Sequence, residues 1–275
     1  MEQIFKKTSI PKKNMSKKIL LIGGAGFIGF HLTKALFKKG HSVVIVDKEK
    51  GIDANNKEAM QEVFKREKPE IVYHLAGAID LKRGGRDSGI ERTKIICDCC
   101  KKYNVEKLIF FSSGGAIYFN SQSEYAKASL KTEKHIQKKL DSFIILRLGN
   151  VYGPGQWKEG IIPQILLNKD LIIKGNGDQT RNFVYVDDVV KVAILAMENN
   201  NKGIYNIDSG QEHSLNQVID LIRKLTGSII NPIYDGKQDI SAKAFDIEKT
   251  KKDFNWNPKI GLEQGLKETI KYYGY

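Results

Sequence analysis

KILLIGGAGFIGFHLTKALFKKGHSVVIVD, from Lys18 to Asp47, is the stretch whose reading decides the fold. Lys18–Gly23 is an apolar run ending in glycines, Ile28–Lys39 has apolar residues at helical spacing, and His41–Asp47 reads as a buried strand. This strand–turn–helix order makes Gly23-Gly24-Ala25-Gly26-Phe27-Ile28-Gly29 more than a chance pattern. Glycines let the backbone turn tightly and approach a pyrophosphate, whose charge the free N–H groups of the helix N-terminus would meet. Asp47 ends the second strand 21 residues after Gly26, where its carboxylate can accept both hydroxyls of an adenine ribose and repel a 2′-phosphate. The unit predicts a bound dinucleotide, NAD in preference to NADP.

The alternation continues outward. Asn56–Arg66 reads as a helix broken ahead of Pro69, Ile71–Leu75 as a strand and Ile90–Tyr103 as a helix. Lys107–Ser112 is another buried strand, Tyr125–Lys139 a helix and Ser142–Leu148 a strand. Strands alternating with helices predict an α/β protein with a doubly wound parallel Rossmann sheet. After Gly149 the character changes. Asn150–Gly155 is turn-rich, Ile161–Asn168 a short helix and Gly175–Arg181 a polar loop. Phe183–Val186 leads into an apolar helix at Asp187–Met197, and two further helices are expected at Leu215–Leu225 and Leu262–Tyr272. The expected division is a basic, flexible extension at 1–16, an NAD-binding domain of 17–149 plus 183–204, and a smaller, discontinuous α/β substrate lobe of 150–182 plus 205–275.

Composition narrows the class. The 275 residues are 41% hydrophobic and 9% aromatic, ordinary for a soluble globular protein. No stretch approaches the roughly 18–20 apolar residues of a membrane span, and the lysines before Ile19 have no apolar run behind them, unlike a signal peptide. The net charge of +13 raises nucleic acid as a partner, but the lysines are spread over nearly every helix and no recognisable binding module accompanies them. No nucleic-acid partner is expected. Cys97, Cys99 and Cys100 lack the spacing or histidine partners of a metal site and read as reduced thiols on a partly buried helix in a cytoplasmic protein. No metal is expected.

With its GxxGxxG spacing, the chain resembles the extended short-chain dehydrogenase/reductase family, in its nucleotide-sugar epimerase/dehydratase (UDP-glucose 4-epimerase-like) branch. The resemblance runs from Lys17 to Tyr273. Asp53 is similar to an acidic residue beside the adenine, and Val72-Tyr73-His74-Leu75-Ala76-Gly77 to a segment lining the cofactor. Phe111-Ser112-Ser113-Gly114-Gly115-Ala116-Ile117-Tyr118 resembles the segment after the next strand, and Leu146–Pro154 the LRxxNVYGP turn. The resemblance implies that Gly23, Gly26, Phe27, Ile28, Gly29, Asp47, Asp53, Leu75, Ala76, Gly77, Ser112 and Tyr125 border NAD. It also implies that Asn150 and Arg181 anchor a nucleotide diphosphate, a role to which the fork of arginine donors is suited. A homodimer is expected from the same source.

The chemistry of the branch runs through a Tyr-x-x-x-Lys helix, whose tyrosine exchanges a proton with the sugar hydroxyl while its lysine lowers the tyrosine pKa. Tyr125 matches the tyrosine, but the lysine position holds Ser129. Lys127 and Lys131 lie about 200° and 240° round the helix from Tyr125, so neither stands in. A tyrosine near its ordinary pKa of about 10 is only about 0.1% ionised at pH 7; it can donate a proton but is a poor base. The usual Ser/Thr position is Gly114, which leaves Ser113 and Ser112 as the nearest hydroxyls, and Gly89 stands where an asparagine is usual. Gly115 and Ala116 replace the acid pair that 4,6-dehydration needs, so dehydration is not expected.

Two functions follow. The first is an NAD-dependent epimerase or reductase acting at C4 of a nucleotide-diphospho-sugar, with Tyr125 as acid/base and Ser113 as its hydroxyl partner, in polysaccharide biosynthesis. The second is a catalytically silent NAD(H)-binding scaffold or sensor. Ser129 and Gly114 are what a decayed site would show; Arg181 and Asn150 are what a retained one would show.

Overall fold

The computed structural model describes residues 16–76, 89–114, 124–168, 171–237 and 241–275. A six-stranded parallel sheet is ordered β2-β1-β3-β4-β5-β9, from β1 (Lys18–Ile22), β2 (Ser42–Val46), β3 (Ile71–His74), β4 (Lys107–Ser113), β5 (Phe143–Leu148) and β9 (Gly203–Ile207). Side chains alternate faces along each strand. Ile19, Leu21, Ile71, Tyr73, Ile109, Phe111, Ile144 and Leu146 pack in one core, while Leu20, Ile22, Val72, Leu108, Phe110, Phe143 and Ile145 pack in another. A sheet buried on both faces needs apolar residues at every position, which is why the strands read as unbroken apolar runs.

Helices cover both faces. On the first lie α1 (Phe27–Lys38) and α6 (Val186–Glu198), through residues such as Leu32, Leu36, Val189 and Ala193. On the second lie α2 (Lys57–Glu67), α3 (Ile90–Lys102) and α4 (Glu124–Lys139), through Met60, Phe64, Ile96 and Ile136. All three cysteines are buried and free on α3. Burial pushes the Cys97 thiol up to about 12 and Cys99 to about 11, so they are inert reduced thiols. The buried Lys107, at the start of β4, donates its ammonium to the carbonyls of Ala196 (3.0 Å) and Asn199. It thereby caps the end of α6, where helix carbonyls lack partners.

Beyond β5 the chain makes β6 (Asn150–Tyr152), α5 (Ile161–Leu167), β7 (Ile172–Ile173) and β8 (Thr180–Tyr185). After β9 come β10 (Glu212–Ser214), α7 (Leu215–Thr226), β11 (Ile233–Tyr234), α8 (Glu248–Phe254) and α9 (Leu262–Tyr272). β6 pairs parallel to β8 and β10 antiparallel to it, so Asn150–Tyr152 and Thr180–Arg181 are strand rather than the expected turn and loop. β9 hydrogen-bonds along β5 and straddles the boundary expected at 204/205. The tail is fastened by Asp188, whose Oδ2 accepts from the N–H groups of Lys259 and Ile260, both at 2.9 Å. The wholly buried Trp256 donates from its indole to the Asp188 carbonyl at 3.1 Å.

Candidate active site

In a doubly wound sheet, ligands sit outside the carboxyl ends of the strands, where the strand order reverses. Here that point lies between β1 and β3. Gly23 leaves β1 with φ +85°, and a Cβ on it would come within 3.0 Å of the Ala76 N. A Cβ on Gly29 would stand 2.5 Å from the Gly23 carbonyl oxygen, so only glycine lets α1 start this close to the loop. Gly26 is the N-cap of α1, with nothing nearer to its own Cβ position than the Gly23 oxygen at 3.5 Å. The first i→i−4 bond of the helix runs from Phe30 N to Gly26 O at 2.9 Å, so the N–H groups of Phe27, Ile28 and Gly29 precede the ladder. The first turn has no acidic side chain. The cradle fits a pyrophosphate.

Asp47 is fixed beside this loop. Its Oδ2 accepts from Ala25 N at 3.0 Å and its Oδ1 from Glu49 N at 3.1 Å, where it caps a 3-10 turn at Lys48–Lys50. Both oxygens keep lone pairs for a ribose diol. Asp53 pairs with Lys48 at 3.4 Å and accepts from Asn55 N at 2.9 Å. Partial burial works against its ionisation, but the Asn55 N–H and the Lys48 and Arg92 charges outweigh it and hold Asp53 below the usual carboxylate range. Leu75 extends β3 by donating its N–H to the Ile22 carbonyl at 2.9 Å, which brings Leu75 and Ala76 beside the loop. Gly77 lies outside the described residues.

Three residues at this end were not anticipated. Arg92, buried on α3, donates Nε to the Ala76 carbonyl at 3.0 Å and Nη1 to Asn55 Oδ1 at 3.4 Å, tying the end of β3 to the Asp53 loop. The available signal was a cation four residues before Ile96, on the inward face of an amphipathic helix. Trp157 meets Phe27 edge-on, with ring centroids 6.2 Å apart, and His31 Nε2 bonds the Pro154 carbonyl at 2.8 Å. The turn after β6 is thus docked on the start of α1.

The ends of β4 and α4 form the other half. Ser112 is expected to face the cofactor, but its hydroxyl donates to Glu133 Oε1 at 2.6 Å, and Arg147 grips Glu133 through Nε at 3.0 Å and Nη2 at 2.6 Å. A buried carboxylate needs such partners, so the Ser112 side chain is committed elsewhere. Ser113 lies close enough to the Tyr125 phenol to favour its ionised form. Burial pushes the Tyr125 phenol above its ordinary value, Ser113 opposing this only in part. Ser129 is buried one turn along and donates to the Tyr125 carbonyl at 3.0 Å. Lys127 is exposed and ion-paired with Glu124 at 2.9 Å, and Lys131 is exposed. Among the described residues no cation contributes to the Tyr125 shift, so the missing lysine has no replacement there.

Asn150 opens β6, opposite Phe183 of β8, and donates weakly to the carbonyl (3.4 Å) and Oδ1 (3.3 Å) of Asn182. Arg181 lies two residues before Phe183, on the same face of β8, and opposite His213 of β10. Its Nη1 donates to the Thr180 carbonyl at 2.8 Å. The two expected phosphate anchors therefore share one small sheet.

Residues 19–208 match the family described as the NAD dependent epimerase/dehydratase family. The chain belongs to this family. It is 30% identical to the UDP-N-acetyl-alpha-D-glucosaminuronate decarboxylase of Bacillus cytotoxicus over 94% of this chain and 98% of that protein. Among solved structures it is similar to the UDP-glucose 4-epimerase of Thermotoga maritima with UDP-glucose, at 31% identity and TM-score 0.84, covering 93% of this chain and 98% of that one. It also resembles the Thermus thermophilus UDP-glucose 4-epimerase in complex with NAD, at 25% identity and TM-score 0.82, covering 93% and 99%. The protein is an NAD-dependent enzyme of the nucleotide-sugar epimerase class, and the silent-scaffold alternative is not favoured.

Proposed function

We propose that Tyr125 and Ser113 serve a reaction at C4 of a nucleotide-diphospho-sugar, with Asn150 and Arg181 holding the diphosphate. The observation that carries this reading is the Ser113–Tyr125 hydroxyl pair, which the fold sets at the carboxyl edge of the sheet that also forms the dinucleotide cradle. NAD, when bound, supplies the acceptor and donor for the hydride of the reacting carbon. Tyr125 moves the hydroxyl proton, taking it when the hydroxyl is oxidised and giving it back when the carbonyl is reduced. Ser113 orients the phenol. Gly23, Gly26, Phe27, Ile28 and Gly29 hold the pyrophosphate, Asp47 the adenine ribose, Asp53 the adenine side, and Leu75 and Ala76 the wall beside them.

The reading keeps two functional regions, a cofactor domain and a discontinuous substrate lobe built from 150–182 and the chain after β9. It extends to a cytoplasmic setting in polysaccharide biosynthesis. The buried free cysteines suit a reducing compartment, and no described helix is long and apolar enough to cross a membrane. A homodimer is retained as the assembly. None of the exposed large apolar side chains among the described residues lies on α3 or α4, whose outer positions include Glu91, Asp98, Lys127, Lys131 and Lys134. A dimer through these helices would be held by charge and would weaken as salt rises.

The test is mass spectrometry of nucleotides released from the purified protein, after recording 340 nm absorbance, followed by incubation with UDP-glucose and UDP-glucuronate. The reading predicts released NAD or NADH and a product of altered C4 configuration or oxidation state. A folded protein that binds NAD but leaves every nucleotide sugar unaltered contradicts it.

A further inference from the structure

Gly114 follows Ser113 at the end of β4, and its N–H is held by the Leu148 carbonyl at 2.8 Å. Its φ is not positive, so the backbone does not require glycine there. What excludes a side chain is the ring of Phe245: a Cβ built on Gly114 would overlap the ring edge and stand 3.0 Å from the Leu148 oxygen. The buried ring therefore fills the space beside Gly114, the residue that follows Ser113 in the chain.

Phe245 is held firmly for that position. Its N–H donates to Asp208 Oδ2 at 2.7 Å, and the same oxygen accepts from Asn182 Nδ2 at 2.7 Å. Asn182 in turn accepts from Asn150. Asp208 is wholly buried just after β9, on the carboxyl edge of the sheet. A chain of hydrogen bonds thus connects Asn150 to the residue whose ring covers Gly114.

We propose that Phe245 is a specificity-determining residue, an apolar wall of the sugar subsite whose ring takes the room that a side chain at 114 would need. The inference rests on the reading that Ser113 and Tyr125 face the sugar. A ring offers no hydrogen bond, so it favours a sugar that turns C–H groups toward it. A hydroxyl aimed at the ring would lose its water without replacement. The hydroxyl function beside the phenol falls to Ser113 because position 114 cannot carry one while the ring stands there.

The test uses the full chain saturated with NAD, in the wild type, Phe245→Ser, Gly114→Ser and the double variant. UDP and UDP-glucose are titrated by calorimetry, with thermal melts and NADH fluorescence as folding controls. Phe245→Leu is the fallback if the serine variant does not fold. Gly114→Ser alone is expected to melt lower than the wild type, and the double variant to recover most of that loss. The ratio of the UDP to UDP-glucose dissociation constants should change at least fivefold in Phe245→Ser and in the double variant, and at least threefold in Phe245→Leu. The UDP constant itself should stay within twofold. A ratio unchanged in folded variants overturns the proposal alone. A folded wild type that binds neither ligand overturns the nucleotide-sugar reading, and this proposal with it.

Discussion

The two ends of the crevice are built to different standards. At the β1–β3 end every part of a dinucleotide cradle is present: the positive-φ Gly23, the close-packed Gly29, the uncapped start of α1 and the doubly anchored Asp47. At the β4–α4 end the phenol is in place and close to Ser113, but Ser129 is turned back onto its own helix and the Tyr125 pKa is raised. Binding and proton transfer therefore make separate demands on one fold. The first needs backbone geometry and a single carboxylate. The second needs an electrostatic field, which one residue can remove without disturbing the packing.

Variants can break this contrast, from the largest effect downward. Tyr125→Phe is expected to lower turnover by about 10²–10⁴-fold while leaving NADH fluorescence titrations within a few-fold, since it removes only the transferable proton. Equal loss of both would tie the phenol to cofactor binding instead. Asp47→Ala should raise the NAD dissociation constant by more than about tenfold, the worth of hydrogen bonds to a charged acceptor. Unchanged affinity would remove the ribose assignment. Arg181→Ala should weaken UDP binding about tenfold and spare NAD, as loss of a charge-assisted contact predicts. Loss of both affinities would point to misfolding.

The comparison also shows what a sequence can reveal. The cradle was legible because its parts are neighbours along the chain: Gly23 to Gly29 form one turn, and Asp47 ends the next strand. The strands of the main sheet were legible because burial on both faces leaves unbroken apolar runs, and α9 begins and ends at Leu262 and Tyr272 as its helical spacing indicates. Gly114 was visible as an oddity, but its cause was not, because Phe245 comes from the far end of the chain. Arg92 and Asp208 were missed for the same reason: their partners at Ala76, Asn182 and Phe245 are set by tertiary packing, which no local pattern records. The commitment of the Ser112 side chain was not legible either, because strand alternation turns it away from Ser113 and toward Glu133, a residue of the following helix.

The most direct test of the contrast is the pH dependence of hydride transfer at 340 nm in the oxidative direction, comparing the wild type with Ser129→Lys. A phenol must lose its proton to act as a base, so a raised pKa moves the active form to higher pH. The wild-type rate should go on rising above pH ~9, toward and beyond the ordinary phenol value of about 10. A lysine at 129 should shift that rise to lower pH and increase the rate at pH 7. A wild-type rate that is already level near pH 7, with no shift in Ser129→Lys, would contradict the account: Tyr125 would then not be the base, or its missing cation would be supplied from elsewhere.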